Sequence, residues 1–504
     1  MLTRLTFLLS LALCICISAP ASAQFGGGGF GGGGFGGGGG GFGGGGGGFG
    51  GGGGGFGGGG GGFGGGGGGQ GGQGGGQAGV KVDAEGVLKR VVMDPRGQLT
   101  AQRLRAAKSA LGKDAQKWSP MRVVSLNRLE AAAAKHKAGG AEEVNDEMAT
   151  LAGLTDIQYV FLQPESKDIL IAGPAEPFFQ DAEGEVRGVR TGRPVLLLQD
   201  LIVALRAFPP SGDPTVQVGC SIDPTQQGLA NMQAFLRQIG GRATPRDTAR
   251  IVQGLQQSLG KQTVRVDGVS PKTHFASIMV SADYRMKLIG IGLEKPPVAI
   301  PSYVALAKRQ QSLARWFFIP DYETVRLSND RLALELVGNG VKLVGEDEVV
   351  NPDGSRVGTG QNAGASKRFV DAFTAKYDAL AAKEPVYAHL RNLIDFTIVA
   401  AFLQKEDWYG QTGWEPNLFL DEAACKVENY NAPKEVDTAV NAVWKGTRLL
   451  TPVGGGVDIQ PLRALASSNL LADENGELNA LHEDVLPTHT QTTHWWWDVA
   501  PEKE

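Results

Sequence analysis

From about Val80 onward the chain alternates between stretches with apolar residues every three to four positions and short runs rich in β-branched residues, the two periods of helix and strand. Leu99–Leu111 and Leu126–Ala138 carry the helical period, and Gly139-Gly140 stops the second before an acidic third helix. The pattern then becomes strand-like. Ile157–Leu162 and Ile169–Ala172 flank a polar turn, and Phe178–Val189 predicts a second hairpin around Asp181-Ala182-Glu183-Gly184. Arg193–Leu198 and Thr215–Ile222 read as strands, each feeding a helix. For the helix after Ile222, Asp223 is placed as the N-cap, Pro224 in the first turn, and Leu229, Met232, Leu236 and Ile239 on one face. A helix opening at Thr244-Pro245 and a strand at Gln262–Val266 follow.

Further on, Thr324–Leu327, Leu332–Val337 and Val341–Val350 predict a meander, with turns at Ser328–Asp330 and Asn339-Gly340. Two helices come next. Phe369, Phe373, Tyr377 and Leu380 share a face of the first; the second starts at Pro385 and is apolar on most sides past Leu393, which puts it in the centre of a core. The expected fold class is α+β, with mixed sheets and packed helices. The expected organisation is a signal peptide at 1–23, a disordered tether at 24–79, a helical segment at 80–155, a mixed α/β core at 156–405 and an irregular C-terminal segment at 406–504 packed on that core.

Composition changes this picture mainly at the N-terminus. Arg4, the apolar run Leu5–Ile17 and the small residues before Gln24 predict an export signal cleaved between Ala23 and Gln24. Cys14 and Cys16 raise a lipoprotein alternative, opposed by Leu13 where a small residue is required. Phenylalanines then recur at 25, 30, 35, 42, 49, 56 and 63 among glycines. A coiled coil needs two apolar positions per heptad and helix formers between them, so this repeat predicts a flexible tether. Its rings are either weak stickers or an unselected simple repeat. No transmembrane segment is expected once the signal is removed, because the apolar run Leu393–Leu403 is short and carries Asp395. The formal net charge of −4 gives no support to nucleic-acid binding.

Candidate chemistry is sparse. Cys220 and Cys425 are the two cysteines beyond the signal, and they read as a possible disulfide or as two separate buried thiols. Cys220 sits where a strand turns into a helix, but Gln226 stands where a phosphatase loop needs arginine. The Gly358–Gly364 loop lacks the endings of a phosphate-binding loop, and neither Gly354 nor Gly476 has the first carboxylate of a calcium loop. His482, Glu483, Asp484, His489 and His494 crowd together without the spacing of a metalloprotease helix, and read as surface residues. Trp495, Trp496 and Trp497 either stack on sugars or anchor the C-terminal segment. Asp283 with Arg285, and Arg391 with Asp395, read as internal ion pairs. No catalytic residue, metal ligand or cofactor is assigned.

Four segments carry a resemblance: Cys220-Ser221-Ile222-Asp223-Pro224-Thr225, Ala282–Glu294 (ADYRMKLIGIGLE), Lys383–Phe396 (KEPVYAHLRNLIDF) and His494–Asp498 (HWWWD). Over most of 80–500 the chain resembles an uncharacterised family of large exported proteins of planctomycete-type bacteria. The resemblance implies export and a domain of unknown function, and no chemistry. The resulting expectation is a non-enzymatic envelope or periplasmic protein that binds an envelope protein or polysaccharide, in an undetermined oligomeric state. The alternative is a hydrolase or carbohydrate-active enzyme whose carboxylates are dispersed in sequence.

Overall fold

Two helices without a solvent face organise the chain. All seventeen residues of His274–Gly290 are buried, as are seventeen of the twenty-one in Pro385–Lys405, which Pro385 opens at a first-turn position needing no backbone N–H. The computed structural model describes residues 80–82, 87–90, 98–110, 117–240, 244–307, 313–430 apart from 352, 354, 359, 361 and 363, 434–441, 443–445, 448–450, 454–485 and 494–499. The signal peptide and the glycine-phenylalanine segment lie outside the described residues, as do His489 and parts of the loops around Gly354 and Gly358–Gly364. By length and composition Pro385–Lys405 could cross a membrane, but 89% of its most apolar stretch is buried inside the fold.

The fold is α+β. A nine-stranded mixed sheet runs, in spatial order, Val80–Val82, Val87–Arg90, Glu435–Val436, Gln262–Asp267, Val218–Pro224, Gly455–Ile459, Leu313–Pro320, Val341–Val350 and Arg356–Gly358. The strand Gly455–Ile459 is antiparallel to Val218–Pro224 on one side and parallel to Leu313–Pro320 on the other. A seven-stranded sheet runs Leu470–Ala472, Val325–Leu327, Ala333–Leu336, Tyr159–Gln163, Asp168–Ala175, Ser119–Ser125 and Trp496–Asp498.

The two-residue period decides which side chains meet. In the seven-stranded sheet Val124, Val160, Leu162, Ile169 and Ile171 join one contiguous core that includes Val218, Cys220 and Ile222 of the other sheet and the two buried helices. Their neighbours Val123, Phe161, Leu170 and Ala172 point the other way and are covered by Leu478 and Val485 of the C-terminal segment. Gln226–Ile239 and Thr248–Leu259 pack against each other in a separate cluster around Leu229, Met232, Ile251 and Leu255. Helix and sheet approach closely at Gly290, where a Cβ would lie 2.3 Å from the Trp316 ring. Trp316, Phe318, Phe369, Phe373, Tyr377 and Tyr387 form an aromatic knot there, with ring centroids 4.6–6.5 Å apart along the chain of contacts.

Several expectations need correction. The strand Ser119–Ser125 interrupts the segment read as helical, because Val123 and Val124 each meet a buried face. Of the expected strand Arg193–Leu198, residues 193–197 form only an isolated bridge at Pro194, which has no N–H to give a ladder, and Leu198 already opens a helix. Asp223 remains in strand register opposite Thr263, and Thr225 is the N-cap instead, its hydroxyl accepting from Gly228 N at 3.0 Å. The expected meander splits between the sheets: Val325–Leu327 pairs with Ala333–Leu336, whereas Val341–Val350 pairs with Leu313–Pro320.

Phe373→Ala should lower unfolding stability by about 3–5 kcal/mol in a urea titration, because a fully buried ring leaves a cavity. Exposed Val216→Ala should change it by less than about 0.5 kcal/mol. Equal effects would contradict the placement of the knot.

Candidate functional site

A cluster of buried ionisable side chains forms where four elements meet. His274 opens its helix after Thr273, whose hydroxyl accepts from Ala276 N at 3.2 Å. Imidazole Nδ1 of His274 lies 2.8 Å from Asp200 on the helix Leu198–Ala207. His389 projects from the second turn of Pro385–Lys405 and places Nε2 2.8 Å from Glu185. The two imidazole rings meet edge to face with centroids 5.2 Å apart. All four residues are buried.

Glu185 is presented by the hairpin Phe178–Gln180 and Val186–Gly188, and its own turn fixes it. Asp181 accepts from Glu183 N at 3.0 Å and Glu185 N at 2.9 Å, and Gly184 supplies the positive φ of +90° that closes the turn. Arg187 pairs with Asp181 at 2.6 Å and holds the loop from its outer side.

Electrostatics favour charge on Glu185 and His274 despite their burial. Desolvation alone would raise the Glu185 carboxyl, but His389, with His274 and Arg187 behind it, overcomes that and holds it down at about 2. Burial opposes protonation of His274, and the Asp200 carboxylate outweighs it, raising the imidazole above its ordinary value. Ligand atoms of Glu185, His274 and His389 all lie within 4.8 Å of one another. Nδ1 of His274 faces Asp200, which leaves Nε2 for a further partner. A carboxylate behind a histidine is the arrangement that orients imidazole toward a metal.

The cluster forms part of the wall of a cavity of about 990 Å³. His274 and Glu185 reach it, together with Gln199, Tyr430, Phe178 and Phe179. The Tyr430 ring centroid lies 5.3 Å from that of His274, and Gln199 Nε2 donates to its hydroxyl at 3.4 Å. Burial keeps the Tyr430 phenol well above its ordinary value, so it stays a hydrogen-bond donor.

None of these residues had been singled out in the sequence, where no metal ligand was assigned. Glu185 and His389 are separated by 204 positions, and Asp200 and His274 by 74, so no local spacing announces them. The signal available was limited: an acid in a hairpin turn and a histidine on the apolar face of each core helix.

The residues that were singled out serve other purposes. Cys220 and Cys425 are both free thiols: Cys220 is buried in a central strand, and Cys425 sits at the edge of the cavity. Burial, with Asp283 next in effect, pushes the Cys220 thiol well above its ordinary value, so it is not an activated nucleophile. Asp283 pairs with Lys287 at 3.0 Å; Arg285 pairs with Glu294 at 2.5 Å and Glu384 at 2.8 Å. Arg391 bonds Asp156 and lies 3.9 Å from Asp395. His482 is buried, stacks on Phe161 with centroids 5.6 Å apart and bonds Leu162 O at 2.8 Å, so it is part of the packing rather than a surface residue. Trp495, Trp496 and Trp497 turn inward. Trp496 bonds Glu147, Trp497 Nε1 donates to Val485 O at 3.3 Å, and Arg122 lies 4.2 Å over the Trp496 ring.

Residues 220–303 match a family described as a protein of unknown function, DUF1598. That stretch contains Cys220, His274, Asp283 and Lys287; Glu185, Asp200 and His389 lie outside it. No curated protein matches the chain, and no solved structure does.

Asp283 gives a test of the buried charges. Burial raises its carboxyl to about 6, with Lys287 opposing, from an ordinary 3.8. A carboxyl raised on folding binds more protons folded than unfolded, so its contribution is full below about 4 and is lost as pH rises to about 6. Across that window the unfolding free energy of the native chain should fall relative to Asp283→Asn. A difference that stays flat or rises with pH would contradict this environment.

Proposed function

We propose that this protein is an exported, metal-dependent hydrolase, with Glu185, His274 and His389 holding one divalent ion of the zinc class. The observation that carries the reading is the convergence of these three ligand atoms within 4.8 Å, with Asp200 behind His274, at the wall of the cavity. Two histidines and one carboxylate form a catalytic rather than a closed structural zinc set. Ligands about 2 Å from one ion stand about 3.4 Å from each other, so only small side-chain adjustments separate this arrangement from a loaded one.

An ion in this place supplies Lewis acidity to a water or a substrate oxygen. The chain's own residues do the rest. Asp200 fixes the tautomer and direction of His274, and the Asp181-pinned turn holds Glu185 against His389. Phe178 and Phe179 give the cavity apolar wall, while Gln199 and Tyr430 offer polar groups to a bound molecule.

One observation favours the non-enzymatic binding reading: Glu185–His389 and Asp200–His274 already satisfy one another as two buried pairs at 2.8 Å. In that case they pin the hairpin to the core helices, and the cavity binds a partner such as an envelope polysaccharide without transforming it.

The two readings separate on metal content. Chain stripped with chelator and titrated with zinc in a calorimeter should bind about one equivalent, and His389→Ala should weaken this at least tenfold. Uptake equal in native chain and variant would sink the metal reading. The export proposal rests on Leu5–Ile17 and the small residues before Gln24. N-terminal sequencing of the protein recovered outside the cytoplasm should begin at Gln24, and an intact Met1 there would contradict it.

A further inference from the structure

The chemistry around the cluster distinguishes between substrates. Phosphate esters bring negative charge, and sites that take them supply buried arginine, lysine or a helix N-terminus. Here Glu185 contributes a carboxylate to the wall, Asp200 stands behind His274, and Glu142, Glu143, Asp146 and Glu183 stand along the rim. The rim cations, Lys137 and Lys426, are not buried, and Lys137 Nζ already donates to Glu142 O at 2.6 Å. Apart from the ion itself, the cavity offers a further anion no buried lysine or arginine among its lining residues.

A neutral donor is nevertheless at hand. Tyr430 borders the same cavity as His274 and Glu185, and Gln199 and the packing of its ring against His274 restrain it. Its backbone N donates to Lys272 O at 3.0 Å, two residues before His274, so the phenol and the imidazole are referenced to one short stretch of chain. A phenol hydroxyl in that place serves an oxygen that is neutral in the ground state and becomes negative during reaction.

Resting on the metal reading above, we infer that the substrate is an uncharged acyl compound, an amide or ester, and that Tyr430 donates to its carbonyl oxygen as charge develops there. In the net step, water oxygen bonds to the carbonyl carbon and the carbon–nitrogen or carbon–oxygen bond breaks with its electron pair leaving on the heteroatom. One proton of the water passes to that heteroatom, and the other leaves with the new carboxylic acid, so no oxidant or second reactant is required.

The test uses the full mature chain loaded with cobalt(II), whose visible spectrum reports ligands entering the metal's open positions. Acetohydroxamate, a carbonyl-bearing probe, should change the spectrum, and Tyr430→Phe should weaken its binding about tenfold, as for a lost hydrogen bond to a charged group, while leaving cobalt uptake unchanged. Gln199→Ala should cause a smaller loss by freeing the hydroxyl. Inorganic phosphate should leave the spectrum unaltered at concentrations where acetohydroxamate saturates. The inference is overturned if phosphate perturbs the spectrum as readily as acetohydroxamate, if acetohydroxamate has no effect, or if Tyr430→Phe binds it as the native chain does. Failure of the native chain to take up cobalt overturns the metal reading beneath it, and the two failures are told apart by metal content alone.

Discussion

A helix enclosed on every side cannot carry an ionised group without a counter-charge inside the protein, and much of this fold follows from that constraint. His274–Gly290 presents His274, Asp283, Arg285 and Lys287 to an interior in which water is scarce. Each is answered: His274 by Asp200, Asp283 and Lys287 by each other one turn apart, with Lys287 also donating to Ile222 O at 3.0 Å, and Arg285 by Glu294 and Glu384. Unpaired, any of these would cost several kcal/mol. The neighbouring helices and the strand Val218–Pro224 are thereby locked to this helix through polar contacts of defined length as well as through apolar packing.

The same constraint accounts for the candidate site. Most buried pairs here neutralise one cation with one anion and are sealed by packing. At His274 and His389 two histidine–carboxylate pairs lie side by side, and the wall beyond them opens into a cavity. The hairpin carrying Glu185 is the element that converts core electrostatics into a place where an external ion or molecule could be met. Its turn is closed by the buried Asp181, so the position of Glu185 is set by its own loop as well as by His389.

Legibility in the sequence divided along physical lines. The central position of Pro385–Lys405 was readable because an apolar run with few interruptions has no solvent face to offer. Hairpins at 157–172 and 178–189 were readable because their turns are local. The seven-stranded sheet's use of both faces was not, since Val123 and Val124 look like one apolar step in a helix until each is seen to meet a different layer. The division of 324–350 between two sheets was equally hidden: turn residues specify a reversal, not the partner chosen afterwards. The site was least legible of all. Its residues are joined by tertiary packing across separations of 74 and 204 positions, and a lone histidine in an apolar stretch carries no mark of what lies opposite.

The place of Gly455–Ile459 in the nine-stranded sheet bears on how the chain reaches this structure. The strands on either side of it, Val218–Pro224 and Leu313–Pro320, emerge from the ribosome long before it does. Until it arrives they face each other across an empty row of hydrogen-bonding groups, and the sheet cannot close. Pairings of such long sequence separation form slowly, because loop entropy must be overcome before the contacts reward it. Folding of this chain therefore passes through a stage with two open strand edges, a template for joining other copies.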